Sequence, residues 1–329
     1  MRLEPDLHGN LRISCEHILM STALGLVLIS GLARHLPRRL LYALAESAAA
    51  LALPFFERRR LRIRNNLQRI RPDDSARQLN RAASEVFAET ARYYADLAIL
   101  PTITPRQVLE RHLHVSGLDH LLDAHRSGRG VVLTTAHISN PEVAVKALAA
   151  LDIPAVALVE QLKDPRHLDA VNAARAAVGV EFLTATQTGV ASALRTLRSG
   201  GVVCILWDRD RQGGGACVPF FGRQARFPAG AIDLAIRADA EVLPLYAVRR
   251  PGPDRLQFDV TFMPPLELLL KGNRALDTRT NIAGLARLFE PIIAEHAHLW
   301  RVAESPWAPC RDTPWDDPHP REHPAEARP

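Results

Sequence analysis

From about residue 113 onward, short apolar, β-branched runs alternate with stretches of helical period. Gly130-Val-Val-Leu-Thr-Thr-Ala136 reads as a buried strand, followed by a helix over Pro141–Leu151. The same grammar repeats as strand 153–159, helix 165–178, strand 180–183, helix 188–199 and strand 202–207. A glycine-rich loop follows, then a helix over 229–238, strands over 242–248 and 256–262, and a closing helix over 281–300. Parallel strands joined by crossover helices bury both sheet faces, which is why these strands are continuously apolar rather than alternating. The expected fold class is therefore α/β, with a mainly parallel central sheet flanked by helices. In such sheets functional groups collect beyond the carboxyl ends of the strands.

The front end is different. Ile18–Ala33 and Leu40–Phe56 are apolar stretches of 16 and 17 residues, separated by Arg34, His35, Arg38 and Arg39 and followed by Glu57-Arg-Arg-Arg-Leu-Arg-Ile-Arg64. Each falls short of the roughly 20 residues that cross a bilayer comfortably. Apolar helices bordered by arginine suit the interface, where the guanidinium groups reach lipid phosphates. A pair of buried core helices joined by a basic turn is the competing reading. Residues 1–81 hold 14 Arg against 7 acidic residues, whereas the whole chain nets +5. Few aromatics accompany the basic stretch, so anionic membrane lipids, and no nucleic acid, are the expected partner. Hydrophobic residues at 47% exclude a disordered chain, and charged residues at 23%, spread throughout, exclude a polytopic membrane protein. The expected organisation is an apolar helical membrane-associating segment over 1–56, a catalytic domain over 57–310, and a Pro-rich charged tail over 311–329. Early in the second of these, residues 73–100 read as a helix capped by Asp73 or Asp74.

Candidate chemistry centres on His137, which directly follows the strand ending at Ala136. Asn140 is a good helix N-cap and Pro141 suits the first helical position. The positive end of that helix disfavours imidazolium, which keeps the ring a neutral base. Glu142 lies in the first turn and is expected to hold the second ring nitrogen, as the third member of a catalytic triad does. The pair His114–Asp119 has the same spacing, but no apolar strand is expected to deliver His114 to a sheet edge. Cys15, Cys204, Cys217 and Cys310 show no CxxC and no short pairing; a reducing compartment fits. His112-x-His114 and His296-x-His298 lack a third ligand, so no metal is expected. Gly213-Gly-Gly215 lacks the phosphate-loop pattern, so no nucleotide cofactor is expected.

His137-Ile-Ser-Asn140-Pro-Glu142 resembles the His-x-x-Asn-Trp-Glu/Asp (HX4E) motif of bacterial glycolipid acyltransferases, comprising the late lipid A acyltransferases and the related phosphatidylinositol mannoside acyltransferases. Arg62-x-Arg-Asn-Asn-Leu67, Val159-Glu-Gln-Leu-Lys-Asp-Pro165, Trp207-Asp-Arg-Asp210, Val218-Pro-Phe-Phe-Gly222 and Phe227-Pro-Ala-Gly230 resemble further family stretches, in order. Pro141 stands where the family has tryptophan. The resemblance implies a glycerolipid-acyltransferase-like fold. It further implies acyl transfer from a thioester donor, acyl-CoA or acyl carrier protein, to a hydroxyl of a glycolipid acceptor at the cytoplasmic face of the inner membrane. His137 would be the general base, oriented by Glu142. Arg175 aligns with a family arginine near the active site and Asp208 with a family aspartate. With Asn140, Arg209 and Asp210 they complete the expected substrate-binding set. Asp208-Arg-Asp210 and Pro228-Ala-Gly230 lean toward the mannoside branch. A glycerophospholipid acyltransferase is the alternative, but Ala229 stands where that family's Phe-Pro-Glu-Gly-Thr-Arg block carries glutamate. A lipid carrier without catalysis is the non-enzymatic alternative.

Overall fold

A computed structural model describes residues 35–160, 175, 178–307 and 310, together with Gly31, Ala33 and the backbone of 3–5 and 11–13. The first apolar stretch, most of the helix expected over 165–178 and the tail after Cys310 lie outside the described residues.

Two short strands, β1 (Leu3–Pro5) and β2 (Leu11–Ile13), pair antiparallel. Three helices follow, α1 (Arg38–Ala52), α2 (Glu57–Ile70) and α3 (Ala76–Ile99). The cap of α3 is Ser75 rather than Asp73 or Asp74: its hydroxyl accepts from Gln78 N while the Gln78 side chain returns to Ser75 N. This reciprocal pair satisfies two of the orphan donors of the first turn, which a lone aspartate two residues earlier cannot do. Helices α4 (Pro105–Arg111) and α5 (Leu118–Arg126) flank strand β3 (Leu113–Ser116). Strand β4 (Val131–Thr135) then leads into α6 (Glu142–Leu148). Next come β5 (Ala155–Val159), β6 (Glu181–Thr184), α7 (Gln187–Arg198), β7 (Val202–Leu206) and the hairpin β8 (Ala216–Phe220)–β9 (Arg223–Phe227). The described helices and strands end with α8 (Gly230–Ala238), β10 (Glu241–Arg249), β11 (Phe258–Phe262) and α9 (Arg274–Glu295), followed by one 3-10 turn over Ala297–Leu299.

The main sheet has seven strands in the order β3-β11-β10-β4-β7-β5-β6. Strands β10, β4, β7, β5 and β6 run parallel. Only the junction of β10 with β11 is antiparallel, and β3 joins β11 in parallel. The α/β expectation therefore holds, with strand bounds shifted by a residue or two. Two elements were not foreseen. One is β3, which places His114 on a sheet-edge strand. The other is the β8–β9 hairpin, turned by Phe221 (φ 45°) and Gly222 (φ 71°). Two consecutive positive φ values are the signature of a type I′ turn, whose twist matches that of paired strands.

Helix α1 packs against α3, burying Leu41, Tyr42 and Ala45 in one of the two hydrophobic clusters that sandwich the sheet. Its other face exposes Leu40, Leu44 and Leu51; Phe55, just beyond it, is 76% exposed. The near-continuous helical run Arg38–Ile70 is long enough, and in one window apolar enough, to cross a membrane.

Under the hairpin lies a cluster of aromatic rings. Trp207 packs on Phe220, Phe227 and Phe289, and Phe220 contacts both Trp300 and Trp307. Cys217 on β8 is disulfide-bonded to Cys310. This corrects the expectation of unpaired cysteines. Chain spacing could not reveal the pair, 93 residues apart, because the packing of Trp307 on Phe220 is what brings its ends together. Cys204 is free and buried.

Candidate active site

Strand register builds the centre. Thr135 on β4 faces Leu206 on the adjacent parallel β7. Two residues further along each strand stand His137 and Asp208, at carboxyl ends about 4.8 Å apart in strand spacing. His137 Nδ1 lies 2.6 Å from Asp208 Oδ1, and the His137 backbone N–H donates to Asp208 Oδ2 at 2.8 Å. The indole N–H of Trp300 donates to the same Oδ2 at 2.7 Å. Burial opposes the Asp208 anion, but His137 and Trp300 outweigh it and hold this carboxyl below the usual carboxylate range. A carboxylate only accepts, so Nδ1 carries the proton and Nε2 keeps its lone pair. Burial also pushes the His137 pKa below its ordinary value; Asp208 opposes this, and Arg209 and Arg301 reinforce it. The ring is therefore a neutral base at pH 7.

Glu142 does not hold that ring. It opens α6, and the helix turn carries it toward α3, where its Oε1 accepts from Tyr93 Oη at 2.8 Å and from Arg175 Nε and Nη2 at 3.0 and 2.7 Å. The position that sequence proximity assigned to Glu142 is taken by Asp208, 71 residues away in the chain. The anion raises the pKa of Arg175 despite burial. Asn140 is fully buried. Its Oδ1 caps the Glu142 backbone N–H at 3.0 Å and its Nδ2 donates to Asp96 at 2.9 Å, so it braces the loop from below. Asp210 also serves the backbone rather than the pair: it accepts from Gly213 N and Gly215 N and pairs with Arg226. A Cβ on Gly215 would meet the Phe227 carbonyl oxygen at 2.1 Å, which explains glycine there. Arg209 reaches Glu160 at 3.7 Å.

Groups that the sequence did not single out hold the loop from 137 to 142. Ser139 has φ 44°, a strained conformation for a residue with a side chain. It is fixed on three sides: Ser139 N donates to Leu299 O, Arg249 N donates to Ser139 Oγ, and Arg301 Nε donates to Ser139 O. The Arg301 backbone N–H donates to His137 O at 2.8 Å. Arg249 is itself locked by Glu89 and Asp96 on α3, and Tyr42 on α1 donates to Asp96. Among the described residues no cluster of His, Cys, Asp and Glu could hold a metal. A hollow of about 640 Å³ lies elsewhere, beside Arg38, Arg111, His112 and Asp254.

This geometry is a His–Asp pair at the carboxyl ends of two central parallel strands, with the histidine opening a strained loop. The sequence matches the family model for bacterial lipid A biosynthesis acyltransferase over residues 14–305. The chain belongs to the bacterial lipid A biosynthesis acyltransferase family. Within that acyltransferase family it is similar to a phosphatidylinositol mannoside acyltransferase of Mycolicibacterium smegmatis, 30% identical over 190 residues, which covers 56% of this chain and 61% of the relative. It is also similar to a phosphatidylinositol mannoside acyltransferase of Mycobacterium tuberculosis, 30% identical over 221 residues, covering 66% of this chain and 67% of the relative.

Proposed function

We propose that this protein transfers an acyl chain from a thioester donor to a hydroxyl of a glycolipid, with His137 as general base. The observation that carries this reading is the Nδ1–Asp208 hydrogen bond, which leaves Nε2 as the basic nitrogen. As the acceptor oxygen attacks the thioester carbonyl, Nε2 takes its proton and Asp208 stabilises the resulting imidazolium. Collapse of the tetrahedral intermediate expels the thiolate, which recovers that proton. Arg209 follows Asp208, and its buried Nε has no hydrogen-bond partner among the described residues. This reading assigns it to the developing oxyanion, as the substrate-binding role expected of it requires. The donor is an acyl-CoA or an acyl carrier protein. The acceptor is of the phosphatidylinositol mannoside type, supported by the names of both relatives.

The same reading places the protein at the cytoplasmic face of the inner membrane. Helix α1 lies along the body with one face on α3 and an exposed apolar face, and the arginines of α2 follow. This amphipathic arrangement suits an anionic bilayer surface.

The test is purified protein incubated with acyl-CoA and mannosylated phosphatidylinositol, with lipid products read by mass spectrometry. The expected result is one added acyl chain, abolished in His137→Ala with the fold intact by circular dichroism. Undiminished transfer by His137→Ala would refute the mechanism.

A further inference from the structure

Beside the His137–Asp208 pair, a buried group and a half-buried one have open hydrogen-bonding capacity. Glu142 uses Oε1 for Tyr93 and Arg175, while its Oε2 is buried without a partner among the described residues. Arg301 uses Nε for Ser139 O at 2.5 Å. Its guanidinium carbon lies 3.9 Å from the centroid of the Tyr93 ring, and no carboxylate among the described residues pairs with it. Both groups are anchored on Tyr93, Glu142 at its hydroxyl and Arg301 over its ring. Both are also tied to the His137 loop, Glu142 through Asn140 and Arg301 through His137 O and Ser139 O. Burial lowers the pKa of Arg301, against the opposing pull of Tyr93, Glu89, Tyr94 and Glu142.

A buried acceptor left open is costly until a ligand satisfies it, and the half-buried guanidinium on the same tyrosine leaves a donor for that ligand. A phosphate or carboxylate would meet the donor and be repelled by Glu142. An amine would meet Glu142 and be repelled by Arg301. A neutral hydroxyl does both at once, donating its hydrogen and accepting on its oxygen. We propose that Glu142 Oε2 and the Arg301 guanidinium form a subsite for a non-reacting hydroxyl of a polyhydroxylated ring, which sets the neighbouring hydroxyl at His137 Nε2. This inference rests on the acyl-transfer reading and adds to it the class of group that orients the acceptor.

The experiment compares mannosylated phosphatidylinositol with an analogue lacking the hydroxyl next to the acylated position, using full-length wild type, Glu142→Gln and Arg301→Met. The wild type is expected to disfavour the deoxy acceptor at least about tenfold in kcat/KM, the size of one lost hydrogen bond to a charged group. In either variant KM for the full acceptor rises and the discrimination falls toward one. Arg301→Lys restores part of the discrimination. Discrimination equal to wild type in both variants overturns the proposal. So does a matching fall of transfer and acceptor-free hydrolysis, which would mean that Arg301 only braces the loop through Ser139. Calorimetric titration with the same acceptor separates this inference from the function it rests on. Binding that weakens in Glu142→Gln supports the subsite even if no thioester is consumed, and absence of binding by the wild type overturns it.

Discussion

Asp208→Asn is the most informative perturbation of the centre. Three N–H groups converge on the two carboxylate oxygens: His137 N and Trp300 Nε1 on Oδ2, and His137 Nδ1 on Oδ1. Asparagine offers one oxygen and one NH2. Turned so that its oxygen serves the two donors at Oδ2, its NH2 faces Nδ1 and can only donate. The ring must then carry its proton on Nε2, the nitrogen the reaction needs bare. Turned the other way, the NH2 confronts two N–H donors. The first orientation is cheaper, costing about 1.5–3 kcal/mol for one charge-assisted hydrogen bond. The fold is therefore retained, but kcat falls on the order of 10³–10⁴-fold, as a wrong-tautomer substitution does in a Ser–His–Asp triad. The assay is acyl transfer across a pH series, with denaturant unfolding alongside. In the wild type, kcat/KM rises through a pKa below 6.5 and is flat above neutrality, because burial depresses His137. In Asp208→Asn the profile shifts to still lower pH, since the anion that favoured imidazolium is gone, and raising the pH restores nothing. A variant that keeps more than a tenth of the rate, or recovers it at high pH, would refute the assignment of Asp208 as the tautomer-setting partner.

Trp300→Phe deletes one donor to Asp208 and should lower kcat about tenfold with KM unchanged, the loss of a hydrogen bond to a charged group. Arg249→Met leaves buried Glu89 with Arg92 alone and buried Asp96 with no cation among the described residues, and should cost about 3–5 kcal/mol in urea unfolding. Leu51→Ser with Phe55→Ser leaves the core untouched. It should reduce sedimentation with anionic vesicles, whereas undiminished sedimentation would move the membrane contact elsewhere. Peptide mapping of oxidised protein should link Cys217 to Cys310, and reduction should lower the thermal midpoint by releasing a long loop, an effect typically worth about 2–4 kcal/mol.

Both members of the central pair were legible as residues following apolar strands, because a buried parallel strand announces itself by composition. Their partnership was not, since it depends on β4 and β7 being neighbours although β5 and β6 intervene in the chain. Closeness in sequence misassigned Glu142. Five residues along a chain that starts a helix is enough to turn a side chain toward a different element, here α3. Tyr93, Asp96, Arg249 and Arg301 come from three separate elements and carry no shared spacing. The hairpin did leave a signal, the Phe221-Gly222 step between two five-residue runs, which reads as a tight turn once its flanks are taken as strands.

Trp300 and Arg301 enter the site from beyond the last long helix, so the ring of hydrogen bonds around His137 is completed by residues synthesised near the end of the chain. Translation proceeds from the N-terminus, and the apolar face of α1 leaves the ribosome while Asp208 and its indole partner have yet to be made. On the proposed function, the order of synthesis separates two hazards: the surface assigned to the bilayer exists early, whereas the histidine assigned to acyl transfer is fully held only after residue 301 has folded back across the sheet. A chain interrupted before that point would carry the base and the strand that bears it, but with neither its strained loop nor its carboxylate held in place.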